Sequence, residues 1–127
     1  MATLGVGVDI VDVPRFAVVL QRRPRIVERL FTQHELDDAR SRPERLAARF
    51  AAKEAVMKTL QVGAGAVPWK SIEVRRAPSG APRIELHGPA AELAARRGVT
   101  TLHVSLTHTA MTAAAFVVGS SKDDLAG

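Results

Sequence analysis

The stretch that decides the fold is PERLAARFAAKEAVMKTL, residues Pro43–Leu60, the most helical part of the chain. Ser41-Arg-Pro-Glu44 has the spacing of a capping box, with Ser41 as the expected N-cap. Leu46, Phe50, Met57 and Leu60 recur at spacings of 4, 7 and 3 and form one apolar stripe. Glu54 lies on that stripe, four after Phe50 and three before Met57, so a carboxylate stands where a core residue is expected. Lys58 follows Glu54 by four, and an i,i+4 ion pair is the plainest reading of the two. That reading accounts for Lys58 better than for the depth of Glu54.

Working outward, residues 4–13 read as a strand with Leu4, Val6, Val8 and Ile10 on one face and Gly5, Gly7, Asp9 and Val11 on the other. Asp9 thus shares its face with two residues that have no side chain, in a strand interior where Asp is rare. Asp12 before Val13-Pro14 caps a helix running through Phe16, Val19 and Leu20 to the Arg22-Arg23-Pro24 break. Thr32 with Glu35 forms another capping box. Gly63-Ala-Gly65 is expected to end the long helix. Strands follow at 71–76 and 83–87, an alanine-rich helix at 90–97 closed by Gly98, and a hairpin of strands at 102–107 and 113–119. His103, Ser105 and Thr107 share one face of the first hairpin strand, with His108 at its end. The expected fold is α+β: a single domain over residues 1–119, an antiparallel sheet packed against a long helix, with a polar tail at 120–127.

Composition narrows the chemistry. At 127 residues one domain is expected. The absence of cysteine excludes disulfides, thiolate metal sites and a cysteine nucleophile. No apolar run approaches the ~18–20 residues of a bilayer span, and Asp9 interrupts the apolar start, so a soluble cytoplasmic protein is expected. Net charge is +5, and 14 of the 18 basic residues are arginine, the side chain best shaped to grip phosphate or carboxylate. Arg15, Arg22, Arg23, Arg25 and Arg29 face only Glu28 among acids over residues 15–29, a solvated helix face or a docking surface for an acidic partner. Aromatic content of 4% with no Tyr argues against a base-stacking platform, leaving nucleic acid only as a backbone-contact alternative without catalysis.

Asp9 and Glu54, far apart in sequence, are oxygen ligands of the kind magnesium prefers. Arg49, Lys53 and Lys58 on the Glu54 helix add groups that clamp phosphates. Together they suit phosphoryl or phosphodiester transfer, which needs charge neutralisation and positioning more than a protein nucleophile. Glycoside hydrolysis predicts an aromatic-rich sugar groove, which an aromatic content of 4% does not support. A Ser-His hydrolase is weaker still, since Ser105 and His108 lack a nucleophile elbow.

Four separated motifs then resemble the holo-acyl-carrier-protein synthase family, the small stand-alone 4′-phosphopantetheinyl transferases. They are Gly5-Val-Gly-Val-Asp-Ile-Val-Asp-Val-Pro-Arg-Phe16, Phe31-Thr-Gln-His-Glu35, Arg49-Phe-Ala-Ala-Lys-Glu-Ala-Val-Met-Lys58 and Val104-Ser-Leu-Thr-His-Thr109. The resemblance implies transfer of the phosphopantetheine arm of coenzyme A to a serine of apo-acyl carrier protein, releasing adenosine 3′,5′-bisphosphate. It implies that Asp9 and Glu54 hold magnesium, that Glu54 or a water held by the metal takes the serine proton, and that Lys58 steadies the diphosphate. Arg49 and His108 would contact phosphates of coenzyme A, Gly63 and Gly65 would border the nucleotide, and Ser105 belongs to the coenzyme A-binding strand. Arg15, Arg22, Arg23 and Arg25 would dock the acidic carrier protein. A homotrimer is implied as well, and no nucleic acid or membrane partner.

Overall fold

The computed structural model describes residues 2–122. The chain runs β1 (Ala2–Asp12), α1 (Val13–Arg22), α2 (Pro24–Leu30), α3 (Gln33–Ala39), α4 (Pro43–Thr59), a 3-10 turn at Trp69–Ser71, β2 (Ile72–Arg76), β3 (Pro82–Leu86), α5 (Gly88–Arg96), β4 (Thr101–His108) and β5 (Thr112–Ser121). β1, β5 and β4 form an antiparallel sheet in that order, and β2 and β3 pair as a separate hairpin.

Helix α4 is the hub. Ala47, Ala48, Ala51, Ala52 and Ala55 are all buried, and so are Leu46, Val56 and Met57, so neighbours cover it on most sides rather than along a single stripe. Such cover is possible because alanine lets a backbone approach closely. The sheet answers with glycine: a Cβ on Gly7 would overlap the Ala55 carbonyl oxygen, and one on Gly5 would overlap that of Thr59. The Gly5, Gly7, Asp9 and Val11 face of β1 therefore rests on α4, while Leu4, Val6, Val8 and Ile10 point outward, Ile10 with 69% of its surface exposed. Across the register Val8 opposes Phe116, itself half exposed, and Phe116 opposes Ser105 on β4, so the outer face of the sheet is an open apolar patch.

A second cluster joins α1–α3 to the start of α4. Phe16 stacks on Phe50 with ring centroids 5.1 Å apart, and Phe50 meets Trp69 at the same separation. Asp12 caps α1 by accepting the Arg15 N–H at 2.9 Å, and the Thr32–Glu35 capping box is complete.

Three expectations need correction. Ser41 does not cap α4: it has φ 56°, outside the extended conformation an N-cap requires, and Arg42 takes the cap position before Pro43. Gly63 and Gly65 do not end α4 either; the helix stops at Thr59 and the chain turns on Gln61, at φ 62°. The break expected at Arg22-Arg23-Pro24 is present: Pro24 cannot continue α1 and starts α2 instead. Finally β5 extends to Ser121 and buries Ser120, two residues into the stretch expected to be a loose tail, whose residues 123–127 lie outside the described residues.

Candidate active site

β1 and α4 bring Asp9, Glu54 and Lys58 together. The close approach at Gly7 sets β1 against α4 at Ala55, so Asp9, two residues on, lies beside the helix. Lys58 Nζ donates to Asp9 Oδ1 at 3.1 Å and to the Val8 carbonyl at 3.0 Å, holding strand and helix in register. Lys58 thus pairs across to Asp9, not to Glu54 as the i,i+4 reading expects. Glu54 is half-buried, not a member of the core, and its pKa is raised by burial, then by the charge and hydrogen bonding of Asp9, with Lys58 acting in the opposite direction. Two adjoining carboxylates share one ammonium, leaving an excess of negative charge that a divalent cation would neutralise.

Arg49 and His108 meet elsewhere, in a cavity of about 290 Å³ that Arg45, Arg76 and Asp38 also line. Arg49 is 7% exposed; one terminal nitrogen donates to the Arg45 carbonyl at 3.1 Å, and its Nε has no partner. Burial lowers the pKa of this guanidinium, opposed mainly by Asp38 and Glu35, yet arginine keeps its proton in proteins. A buried cation with an unused donor, flanked by two more guanidinium groups and an imidazole, has the chemistry to hold an anion. Arg45 and Arg76 were missed in the sequence. Arg45 had a signal, standing one helical turn before Arg49, whereas Arg76 had only its charge.

Other expected residues lie apart. Gly63 and Gly65 follow the far end of α4 and do not line this cavity, and Gly65 N–H instead approaches Met57 Sδ at 3.1 Å. Ser105 sits on the open sheet face beside Phe116. Arg15, Arg22, Arg23 and Arg25 are all exposed on α1, α2 and the break between them. Lys53 is no phosphate clamp: it is fully buried and bonded to Glu35. One further group has metal-ligand chemistry among the described residues, Glu73, Glu85 and His87 on the β2–β3 hairpin. Its carboxylates are already engaged, Glu73 by the Thr32 hydroxyl, His87 and Arg75, and Glu85 by Arg75 and Arg83.

Comparison with known proteins places the chain in a family. The profile of the 4′-phosphopantetheinyl transferase superfamily matches residues 5–115. The holo-acyl-carrier-protein synthase of Frankia casuarinae is 50% identical over 121 residues, spanning 95% of this chain and 100% of that protein. Among solved structures, the Mycobacterium tuberculosis acyl carrier protein synthase is 38% identical with a TM-score of 0.72, covering 94% of this chain and 98% of that one. The Helicobacter pylori holo-acyl-carrier-protein synthase, solved in complex with coenzyme A, is 32% identical with a TM-score of 0.82, covering 91% and 99%. A profile matched from the glycine strand to β5, with relatives of equal length and a shared fold, means that this chain belongs to the 4′-phosphopantetheinyl transferase superfamily.

Proposed function

We propose that this protein is a holo-acyl-carrier-protein synthase, transferring 4′-phosphopantetheine from coenzyme A to a serine of apo-acyl carrier protein and releasing adenosine 3′,5′-bisphosphate. The observation that carries the reading is the pair of adjoining carboxylates, Asp9 and Glu54, in a member of this family. Their charge excess fits magnesium, which when bound neutralises the diphosphate of coenzyme A. Glu54 accepts the proton of the attacking serine hydroxyl, and Lys58, held by Asp9, supports the negative charge that builds on the leaving phosphate. Arg49, Arg45, Arg76 and His108 grip a phosphate of the adenosine end in their cavity.

The acidic carrier protein docks on Arg15, Arg22, Arg23 and Arg25, where opposite charge speeds encounter. The apolar patch of Leu4, Val6, Val8, Ile10 and Phe116 meets further copies of this chain, as a homotrimer, and Ser105 then reaches coenzyme A bound by a neighbouring subunit. The protein works in the cytoplasm as one domain; among the described residues no helix is long and apolar enough to cross a membrane. A nucleic-acid module has no use for two carboxylates placed together, as Asp9 and Glu54 are, which weighs against that alternative.

The test is the intact mass of an apo-acyl carrier protein after incubation with this protein, coenzyme A and magnesium. Gain of one phosphopantetheine, abolished by a chelator, is expected; no gain on any of several apo carrier proteins would overturn the reading. Sedimentation of the parent and of Val8→Lys tests the assembly, the variant being expected as a monomer.

A further inference from the structure

Lys53 is the buried cation that the reaction does not use. It stands directly before Glu54 and has no exposed surface. Its ammonium donates three hydrogen bonds: to Glu35 Oε1 at 2.8 Å, to the Ile72 carbonyl at 2.6 Å and to the Trp69 carbonyl at 3.0 Å. Glu35, equally buried, also accepts the Thr32 N–H on Oε1 at 2.9 Å and the Val74 N–H on Oε2 at 2.8 Å. Every donor of the ammonium and both oxygens of the carboxylate are thereby used, and three elements meet at one point: the first turn of α3, the middle of α4, and β2 with its leading turn.

A buried ion pair of this kind adds little stability over an apolar pair of the same size, but its bonds are directional. Direction matters on α4, because a surface of small alanines offers few knobs to stop the helix rotating about its axis. Successive residues lie about 100° apart round a helix, so fixing Lys53 toward α3 and β2 fixes where its neighbours point. Glu54 is then turned to β1 and Asp9. Arg49, four residues before Lys53 and so on nearly the same side, is turned into the cavity beside Val74 and Arg76 of β2.

We infer that the Lys53–Glu35 pair is a positioning device for the reaction: it sets the rotation of α4, and through it the aim of Glu54 at Asp9 and of Arg49 into the anion cavity, without touching substrate. The inference rests on the reaction proposed above for that site. Two full-length variants test it, each first shown to be folded by its thermal melt. Lys53→Met/Glu35→Gln removes both charges and keeps an acceptor for the Val74 N–H; Glu35→Asp keeps both charges and draws the carboxylate back by one methylene. Manganese, followed by the paramagnetic resonance of the free ion, reports the Asp9–Glu54 pair independently of turnover.

Both variants are expected to bind manganese at least about tenfold more weakly and to lose at least about tenfold in kcat, the scale of a small misplacement of reacting groups. The KM for carrier protein, which docks on α1 and α2, should stay within about threefold of the parent, a split that general unfolding would not give. A folded variant with parental kcat and manganese affinity would overturn the inference, and Glu35→Asp decides the matter if the double variant does not fold. A parent that binds manganese but modifies no carrier protein would sink the proposed reaction, while the manganese comparison would still decide the positioning.

Discussion

Lys53 and Glu54 are adjacent on one helix and have opposite fates. Lys53 faces Glu35 with one charge of each sign, no exposure and every polar atom bonded. Glu54 faces Asp9 and Lys58 with two negative charges to one positive, partly open to solvent. The first arrangement is complete in itself and can do nothing but hold elements together. The second is incomplete, and its excess charge and access are what a cation and a phosphorylated substrate can use. Matched charge without access marks structure here, and unmatched charge with access marks chemistry.

The largest way to break this contrast is to unbalance the buried pair. Glu35→Gln leaves the Lys53 ammonium without a counter-ion and is expected to cost about 3–5 kcal/mol in a urea unfolding experiment. A loss under ~1 kcal/mol would mean that water reaches Lys53 and that the pair is not sealed. Next in size is the anion cavity. Arg49→Met should raise the KM for coenzyme A by roughly 10- to 100-fold, the worth of a hydrogen-bonded charge, with little change in melting temperature because Arg49 Nε already lacks a partner. A parental KM would remove the cavity from the coenzyme A site.

Smaller effects sharpen the open side of the contrast. Burial, reinforced by Asp9, raises the Glu54 pKa, with Lys58 opposing. A carboxyl whose folded pKa is raised holds its proton more tightly when folded, so this stabilisation is full below the unfolded value of about 4.3 and is lost as pH climbs through the folded value. In a chelator, the melting temperature of the parent should therefore fall more steeply over that window than that of Glu54→Gln; parallel slopes would contradict the raised Glu54 pKa. Smallest of all, Arg22→Glu/Arg23→Glu should raise the KM for carrier protein several-fold at low ionic strength and flatten its salt dependence. Unchanged salt dependence would move the docking surface elsewhere.

Much of this was legible in the sequence because it is local. Asp12 and Thr32 carry their caps within three residues, and the alternation of β1 separates the glycine face from the aliphatic one in the sequence itself. Asp9 and Glu54 stood out because each carboxylate interrupts an apolar or glycine-lined pattern. What stayed hidden depends on contacts between distant segments. Lys53 reads as one more phosphate clamp until Glu35, eighteen residues away, is seen beside it. Arg76 joins Arg49 only because β2 lies against α4. The left-handed turn at Gln61 defeated the expectation that a glycine would end α4, and the same conformation at Ser41 removed its capping box.

Glu54 is reactive where its neighbour Lys53 is structural. The direct measurement is the rate of phosphopantetheine addition to apo-acyl carrier protein by folded Glu54→Gln, across a magnesium titration, beside the parent. A loss of about a hundredfold or more that magnesium does not restore, in a variant that melts no lower than the parent, is the predicted result. Transfer at the parental rate by a folded Glu54→Gln protein would contradict it.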